Sequence, residues 1–268
     1  MPEADYVLGS DRSELERLEH QHEVWRERSE AVFDRLGLGP GARVLDAGCG
    51  PGYVLLDLRR RVGPGGEVWG VDLTASLLEE ARRQAAARGW TDLHLLHGDL
   101  HEVTLPADHF DLIWMRWVLS FPPDPGAILR RLAPCLRAGG VLVVQDYHHE
   151  GIALHPPSAG FRAAVRATRE LYTEAGGDPW VGARLPGLLR AAGLDLVLEE
   201  AEIHAGGPDS PWFAWADRFF PRWVERFAAQ GRMTQEEAEA FRREWADRRR
   251  DPDARFFTPT VVTVAGRR

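Results

Sequence analysis

Asp46, Gly48, Gly50 and Gly52 stand within nine residues, Val44-Leu45-Asp46-Ala47-Gly48-Cys49-Gly50-Pro51-Gly52. Val44 and Leu45 continue a short apolar run that suits a buried parallel strand. The glycines permit backbone angles that other residues resist and let a ligand come close to the main chain. Such a turn opening a helix often cradles pyrophosphate. Here the carboxylate of Asp46, just before the turn, would repel phosphate. It suits a ligand carrying an ammonium and a sulfonium. The glycine spacing is G-x-G-x-G, distinct from the G-x-G-x-x-G of dinucleotide sites. The competing reading is a glycine turn in an unrelated α/β protein.

The run V-L-D-A-G-C-G-P-G closely resembles the first motif of the class I S-adenosylmethionine (SAM)-dependent methyltransferases. SAM carries both an ammonium and a sulfonium. The later sequence L-R-A-G-G at Leu136–Gly140 is similar to that family's L-K-P-G-G turn before strand five. The resemblance covers residues 40–147. It implies a three-layer Rossmann-like α/β fold around one seven-stranded sheet. The implied strand order is 3-2-1-4-5-7-6, with strand seven antiparallel. It also implies an enzyme, a SAM-dependent methyltransferase of the small-molecule, secondary-metabolism kind.

Further residues fall where such a fold binds its nucleoside. Asp72 ends the second strand and could accept from ribose hydroxyls; the alternative is a cap of the next helix. Asp99, after strand three, resembles the family's adenine-binding position; the alternative is a turn aspartate. Their neighbours Leu73, Gly98 and Leu100 join the cofactor-binding set. Arg116 lies at the C-terminal edge of strand four and could pair with the methionine carboxylate, or be a surface arginine. Tyr6 belongs to a leading segment, Y-V-L-G-S, similar to segments that fold over the cofactor in related enzymes; a frayed terminus is the alternative.

Methyl transfer from a sulfonium needs alignment and exclusion of water, and a base only if the acceptor must lose a proton. Candidate bases cluster at Gln145-Asp146-Tyr147-His148-His149, after strand five. His148 is preferred because its pKa lies near neutrality without perturbation; an exposed loop histidine is the alternative. The adjacent histidines do not suggest a metal, since neighbours on an extended chain point apart. His155 and His204 are weaker candidates.

The elements that must hold these residues follow from periodicity. Ser10 or Asp11 caps a helix running to Leu36, within an N-terminal helical segment 1–37. Strands are expected at Arg43–Ala47, Glu67–Asp72, Leu93–Leu96, Phe110–Met115, Val141–Val144, Leu194–Ile203 and Phe256–Val264. Helices are expected at Tyr53–Val62, Ser76–Arg88, Asp124–Leu136, Phe161–Ala175 and Gly182–Ala192. The SAM-binding core is 40–147 in a single domain spanning 1–268. The stretches 151–180 and 208–250 are helical insertions forming an acceptor lid. The second is dense in aromatics, from Trp212 to Trp245, with a polar stretch Gln230–Glu239 as its exposed back; packing or a dimer interface is the alternative for those aromatics.

Composition bounds the partners. The 268 residues carry a net charge of -8 and a pI near 5.7, so broad attraction to nucleic acid is not expected. All 33 basic residues are arginine, which reads as coding bias. Two cysteines, Cys49 and Cys135, suggest reduced thiols and a cytoplasmic location. No apolar run approaches a membrane span, and no signal peptide is visible. The expected partner is a small, apolar or aromatic acceptor methylated on O, N or C, with no nucleic acid or membrane partner, in a monomer or homodimer. The alternatives are a methyltransferase acting on RNA or protein, and a SAM-binding protein without catalysis.

Overall fold

The computed structural model describes residues 11–268. The Asp11 carboxylate accepts from the Glu14 N–H and so starts α1 (Arg12–Arg35). Then β1 (Arg43–Ala47), α2 (Tyr53–Val62), β2 (Glu67–Asp72), α3 (Ala75–Ala87), β3 (Leu93–His97) and β4 (Phe110–Arg116) alternate as expected. The helix α4 (Pro125–Leu132) is shorter than expected. It passes into a 3-10 turn, Ala133–Cys135, because Pro134 lacks the N–H that an α-helix needs. A long strand β5 (Leu136–His148) follows, absorbing the L-R-A-G-G sequence that was expected to be a turn. It extends to His148 because β10 pairs with it as far as Thr260.

The C-terminal half departs further from expectation. It comprises β6 (Ala153–His155), α5 (Ala159–Glu174), α6 (Leu185–Ala191), β7 (Asp195–Glu202), β8 (Ala205–Gly206), α7 (Pro211–Ala229), α8 (Gln235–Arg248), β9 (Arg255–Phe257) and β10 (Thr260–Arg267). The single strand expected at Phe256–Val264 is two strands. Pro259 cannot donate to a ladder, and Thr258 turns aside to exchange hydrogen bonds with His204: its N–H donates to the His204 carbonyl and its Oγ1 accepts from the His204 N–H. So β9 joins a small second sheet, ordered β6-β9-β8, that the sequence reading lacked.

The main sheet has seven strands in the order β3-β2-β1-β4-β5-β10-β7, and β10 runs antiparallel to both its neighbours. This is the expected class I order, with β10 and β7 as the seventh and sixth strands. Parallel strands buried on both faces need near-continuous apolar runs; in β4, Leu112, Ile113, Trp114 and Met115 are all 3% exposed or less. α1 and α2 cover one face through Phe33, Leu55 and Leu58. α4 and α6 cover the other through Leu129 and Leu189.

A third core sits outside the sheet, where α1, α5, α7, α8 and the second sheet meet. Trp25, Phe161, Phe213, Trp223, Phe227, Phe241, Trp245 and Phe256 are buried there. Most aromatics of the 208–250 insertion therefore pack against neighbouring elements. Its polar stretch is mainly exposed, except that Met233 and Ala238 are buried. No helix among the described residues is long and apolar enough to cross a membrane.

The α5–α8 contact depends on Gly160, where an added Cβ would lie 2.2 Å from the Phe241 backbone nitrogen. Backbone cannot yield as a side-chain tip can, so Gly160→Ala is expected to cost roughly 1–3 kcal/mol. Thermal unfolding should show a lower Tm by several degrees. An unchanged Tm would mean the two helices are not held this closely.

Candidate active site

The glycine turn after β1 is built for close approach. Gly48 has φ of +81°, and a Cβ there would lie 2.4 Å from Val118 Cγ2. Gly52 has φ of +84° and begins α2. At the C-terminal ends of β1 to β4, where open α/β sheets bind ligands, the turn borders a cavity of about 500 Å³. Asp46, Gly48, Gly50, Asp72, Leu73, Gly98, Asp99, Leu100 and Arg116 all line it. Tyr6 lies outside the described residues.

Asp46 is 3% exposed, and its Oδ2 has no hydrogen-bond partner. Burial pushes its pKa up to about 7, against the pull of Arg116 and with the help of Asp72. A buried carboxylate oxygen without a partner is costly. A ligand ammonium or sulfonium would relieve it, so the donor set fits SAM. Asp72 does two structural tasks. Its Oδ2 accepts from the Gly50 N–H at 2.7 Å and its Oδ1 from the Thr74 N–H at 2.8 Å, tying the turn to the start of α3. A carboxylate has about four acceptor sites, so hydroxyls in the cavity could still be bound. Burial raises its pKa although both N–H groups oppose the shift. Asp99 Oδ1 accepts from the His101 N–H at 2.8 Å. Burial disfavours its ionisation, yet the His101 backbone and ring outweigh that and hold the carboxyl low. Beside these acids, Leu73 is left 42% exposed, offering an apolar face to a flat base.

Arg116 is not a surface arginine. Its Nη1 donates to Ser29 Oγ at 2.9 Å and its Nη2 to His22 Nδ1 at 3.1 Å. Burial lowers its pKa to about 10, although Asp46 and Tyr147 act the other way. The guanidinium is always a donor, so His22 accepts on Nδ1 and carries its proton on Nε2, 3.1 Å from Asp57 Oδ2. His22 and Asp57 were missed in the sequence. Their one trace there is a polar interruption, His22 and Ser29, in the apolar stripe of α1.

The loop after β4 is fixed by Asp146. Its Oδ2 accepts from the N–H groups of Val118, Leu119 and Ser120 at 3.0, 2.8 and 3.2 Å. Asp146 is thus part of the scaffold and not a base, its pKa raised to about 6 by burial against those N–H groups. The loop holds Trp117 at φ +55°, a left-handed conformation that costs a bulky residue roughly 1–3 kcal/mol. The Trp117 ring stacks on Tyr147 at 5.5 Å and 14°, and the Arg116 guanidinium lies 4.5 Å from its centre.

Trp117 also borders a second, narrow cavity of about 60 Å³. At about 30 Å³ per water in the liquid this holds roughly two waters. Gln21, Trp117 and Phe121 line both cavities. Tyr147, His149, Tyr172, Trp215, Phe219 and Phe220 complete much of the smaller one. His148, the preferred base from sequence, lines neither cavity. It pairs with Thr260 at the end of β5, and alternation along a strand turns 147 and 149 to the other face. His149 faces the small cavity instead. It is 3% exposed, and burial, with Arg169 and His148, lowers its pKa to about 3.

A family model described as a methyltransferase domain matches residues 38–183. A demethylmenaquinone methyltransferase from Staphylococcus aureus is 33% identical over 123 residues, 46% of this chain and 49% of the relative. The chain thus spans about half the length of the curated relatives it matches. A SAM-dependent methyltransferase from Aquifex aeolicus superposes with a TM-score of 0.55 at 22% identity, covering 71% of this chain and 92% of that one. A geranyl diphosphate methyltransferase, solved with GPP and sinefungin, gives 0.55 at 18% identity, covering 92% and 78%. The [4+2]-cyclase SpnF gives 0.55 at 19% identity, covering 89% and 80%. These structures share the fold, and the fold alone does not settle the reaction.

The raised pKa of Asp46 has a measurable consequence. Below about pH 7 the ligand-free protein holds a proton there, and a cationic ligand must displace it. SAM affinity should therefore fall as pH drops, by up to about tenfold per unit, and level off above pH 7. Asp46→Asn should bind weakly and lose this dependence, read by calorimetry across pH. Identical pH profiles for the two proteins would contradict the assignment.

Proposed function

Because the chain belongs to the methyltransferase domain family, we propose that it binds SAM in the larger cavity and transfers the methyl group to a small apolar or aromatic acceptor at the junction with the smaller one. The observation that carries this reading is the junction of the two cavities. One side holds the Asp46 carboxylate with its unpartnered Oδ2; the other is walled by aromatics; Gln21, Trp117 and Phe121 belong to both.

SAM, when bound, supplies an electrophilic methyl on a sulfonium that leaves as a neutral thioether. The chain's task is then alignment and exclusion of water. Asp46 would accept from the cationic amino end, and Arg116, held by Ser29 and His22, would face the carboxylate. Asp72 and Asp99 would accept from the ribose and the adenine amine. Gly98, Leu73 and Leu100 would shape the base pocket. Trp117, fixed by Asp146, would set the line between methyl and acceptor.

The lid is narrower than residues 151–180 and 208–250. Residues of α5 and α7, including Tyr172, Trp215 and Phe219, reach the small cavity, whereas the α8 aromatics Phe241 and Trp245 serve packing. The curated relatives are named for demethylmenaquinone; the pocket here supports the broader class of apolar or aromatic acceptor. A cavity of this size also favours a small acceptor over RNA or protein.

Calorimetry should show SAM binding, and Asp72→Ala should weaken it by about 1–3 kcal/mol. Tight NAD binding without SAM binding would overturn the reading. Phe219→Ala should leave SAM affinity within about twofold and raise the acceptor KM. An unchanged KM with lost SAM binding would place the acceptor elsewhere.

A further inference from the structure

Two opposite charges stand in the larger cavity without meeting. Asp46 of β1 and Arg116 of β4 both line it. Burial raises the Asp46 pKa and lowers that of Arg116, while each charge opposes the shift of the other. Yet among the described residues no ion pair joins them, and Asp46 Oδ2 has no hydrogen-bond partner. Away from water, opposite charges attract strongly. The guanidinium must therefore be held off the carboxylate.

The holding groups come from α1 and α2. Ser29 Oγ and His22 Nδ1 accept from Nη1 and Nη2 of Arg116 at 2.9 and 3.1 Å. An imidazole that accepts on Nδ1 is neutral and carries its proton on Nε2. Asp57 sets that tautomer, because its Oδ2 stands 3.1 Å from Nε2. Asp57 is itself buried, and Arg26 and Arg60 anchor it at 3.0 and 2.7 Å. The His22 ring stacks on Tyr53, with centres 5.8 Å apart at 22°. Burial, with Arg116 and Arg26, outweighs Asp57 and lowers the His22 pKa, so the ring stays neutral and keeps its acceptor.

We propose that His22 and Asp57 are positioning residues that hold Arg116 apart from Asp46, so that the cavity receives the zwitterionic amino-acid end of SAM, ammonium on Asp46 and carboxylate on Arg116. This deepens the SAM-binding reading above and rests on it. Asp57 does not line the cavity; it acts through the tautomer of His22. A guanidinium released from His22 keeps its charge and pairs with the free oxygen of Asp46. That pair would cover both halves of the head-group site at once. The charged and titratable groups facing Asp46 are Arg116 from β4, Asp72 from β2 and the Cys49 thiol of the glycine turn. Of these, Arg116 is the cation that competes with a ligand ammonium.

The test uses the full chain and two probes. S-adenosylhomocysteine carries the amino-acid end, and methylthioadenosine lacks it. Affinities are read by calorimetry from about pH 5 to about pH 8. His22→Phe keeps a ring and removes both nitrogens. At about pH 8 it should bind S-adenosylhomocysteine about tenfold more weakly than the wild type, and methylthioadenosine within about twofold. The deficit should shrink as pH falls below about 7, where a proton occupies Asp46 in both proteins and Arg116 no longer competes for it. His22→Asn, which places an amide oxygen near the position of Nδ1, should restore most of the affinity. Asp57→Asn keeps the shape of the side chain, guards against loss of fold in His22→Phe, and should weaken S-adenosylhomocysteine in the same selective way. Added to His22→Asn, it should do nothing further. Equal losses of both probes, a deficit constant with pH, or a His22→Asn protein as weak as His22→Phe would overturn the proposal. So would wild-type protein that binds methylthioadenosine as tightly as S-adenosylhomocysteine. Wild-type protein that binds neither probe would instead overturn the SAM-binding reading beneath it.

Discussion

One buried carboxylate organises the reactive end of the sheet. Asp146, near the end of β5, collects three N–H groups from the loop after β4. Backbone donors in a tight loop must be satisfied, and a single oxygen satisfies three of them. That capture places Val118 against Gly48, so tightly that a side chain on Gly48 would collide with it. It also holds Trp117 in a left-handed conformation between Arg116 and Tyr147. The close fit of the glycine turn, the wall between the cavities and the position of Arg116 follow from this one interaction.

The cap over the strand ends is an integral core. Trp25 of α1 contacts Trp117, Trp212 and Trp215 edge-on. Phe161, Phe213 and Phe241 stack around Trp245. Aromatic pairs of this kind add to simple area burial. The helices that cover the smaller cavity are therefore held by the same contacts that complete the fold. Polar contacts join in: Gln21 Oε1 accepts from both Arg17 and Trp215, linking α1 to α7 beside the cavity.

What was legible in the sequence is what local chemistry encodes. The strand carrying Asp46, the glycine turn, the acid that ends β2 and the acid after β3 could be placed because each depends on a few adjacent residues and on strict alternation of element types. What depends on distant partners was not legible. The orientation of His148 against His149 turns on the phase of one strand, and a shift of one residue exchanges the faces. Arg116 gave no sign of its hydrogen bonds to Ser29 and His22, 87 and 94 residues away. The left-handed Trp117 had no glycine or asparagine to announce it. The second sheet hid inside what looked like one β-branched strand, broken by Pro259. The aromatic insertion divided its labour, and only contacts could separate the cavity-lining side chains of α7 from the packing ones of α8.

The most direct test of the whole account is the crystal structure of this protein with S-adenosylhomocysteine, the demethylated cofactor product. The ligand is expected in the larger cavity, with its amino group hydrogen-bonded to Asp46, its ribose at Asp72, its adenine between Asp99 and Leu73, and its sulfur directed at the boundary formed by Gln21, Trp117 and Phe121. A sulfur directed away from that boundary, or an adenosine end lodged beside Asp46, would contradict the proposed path of the methyl group.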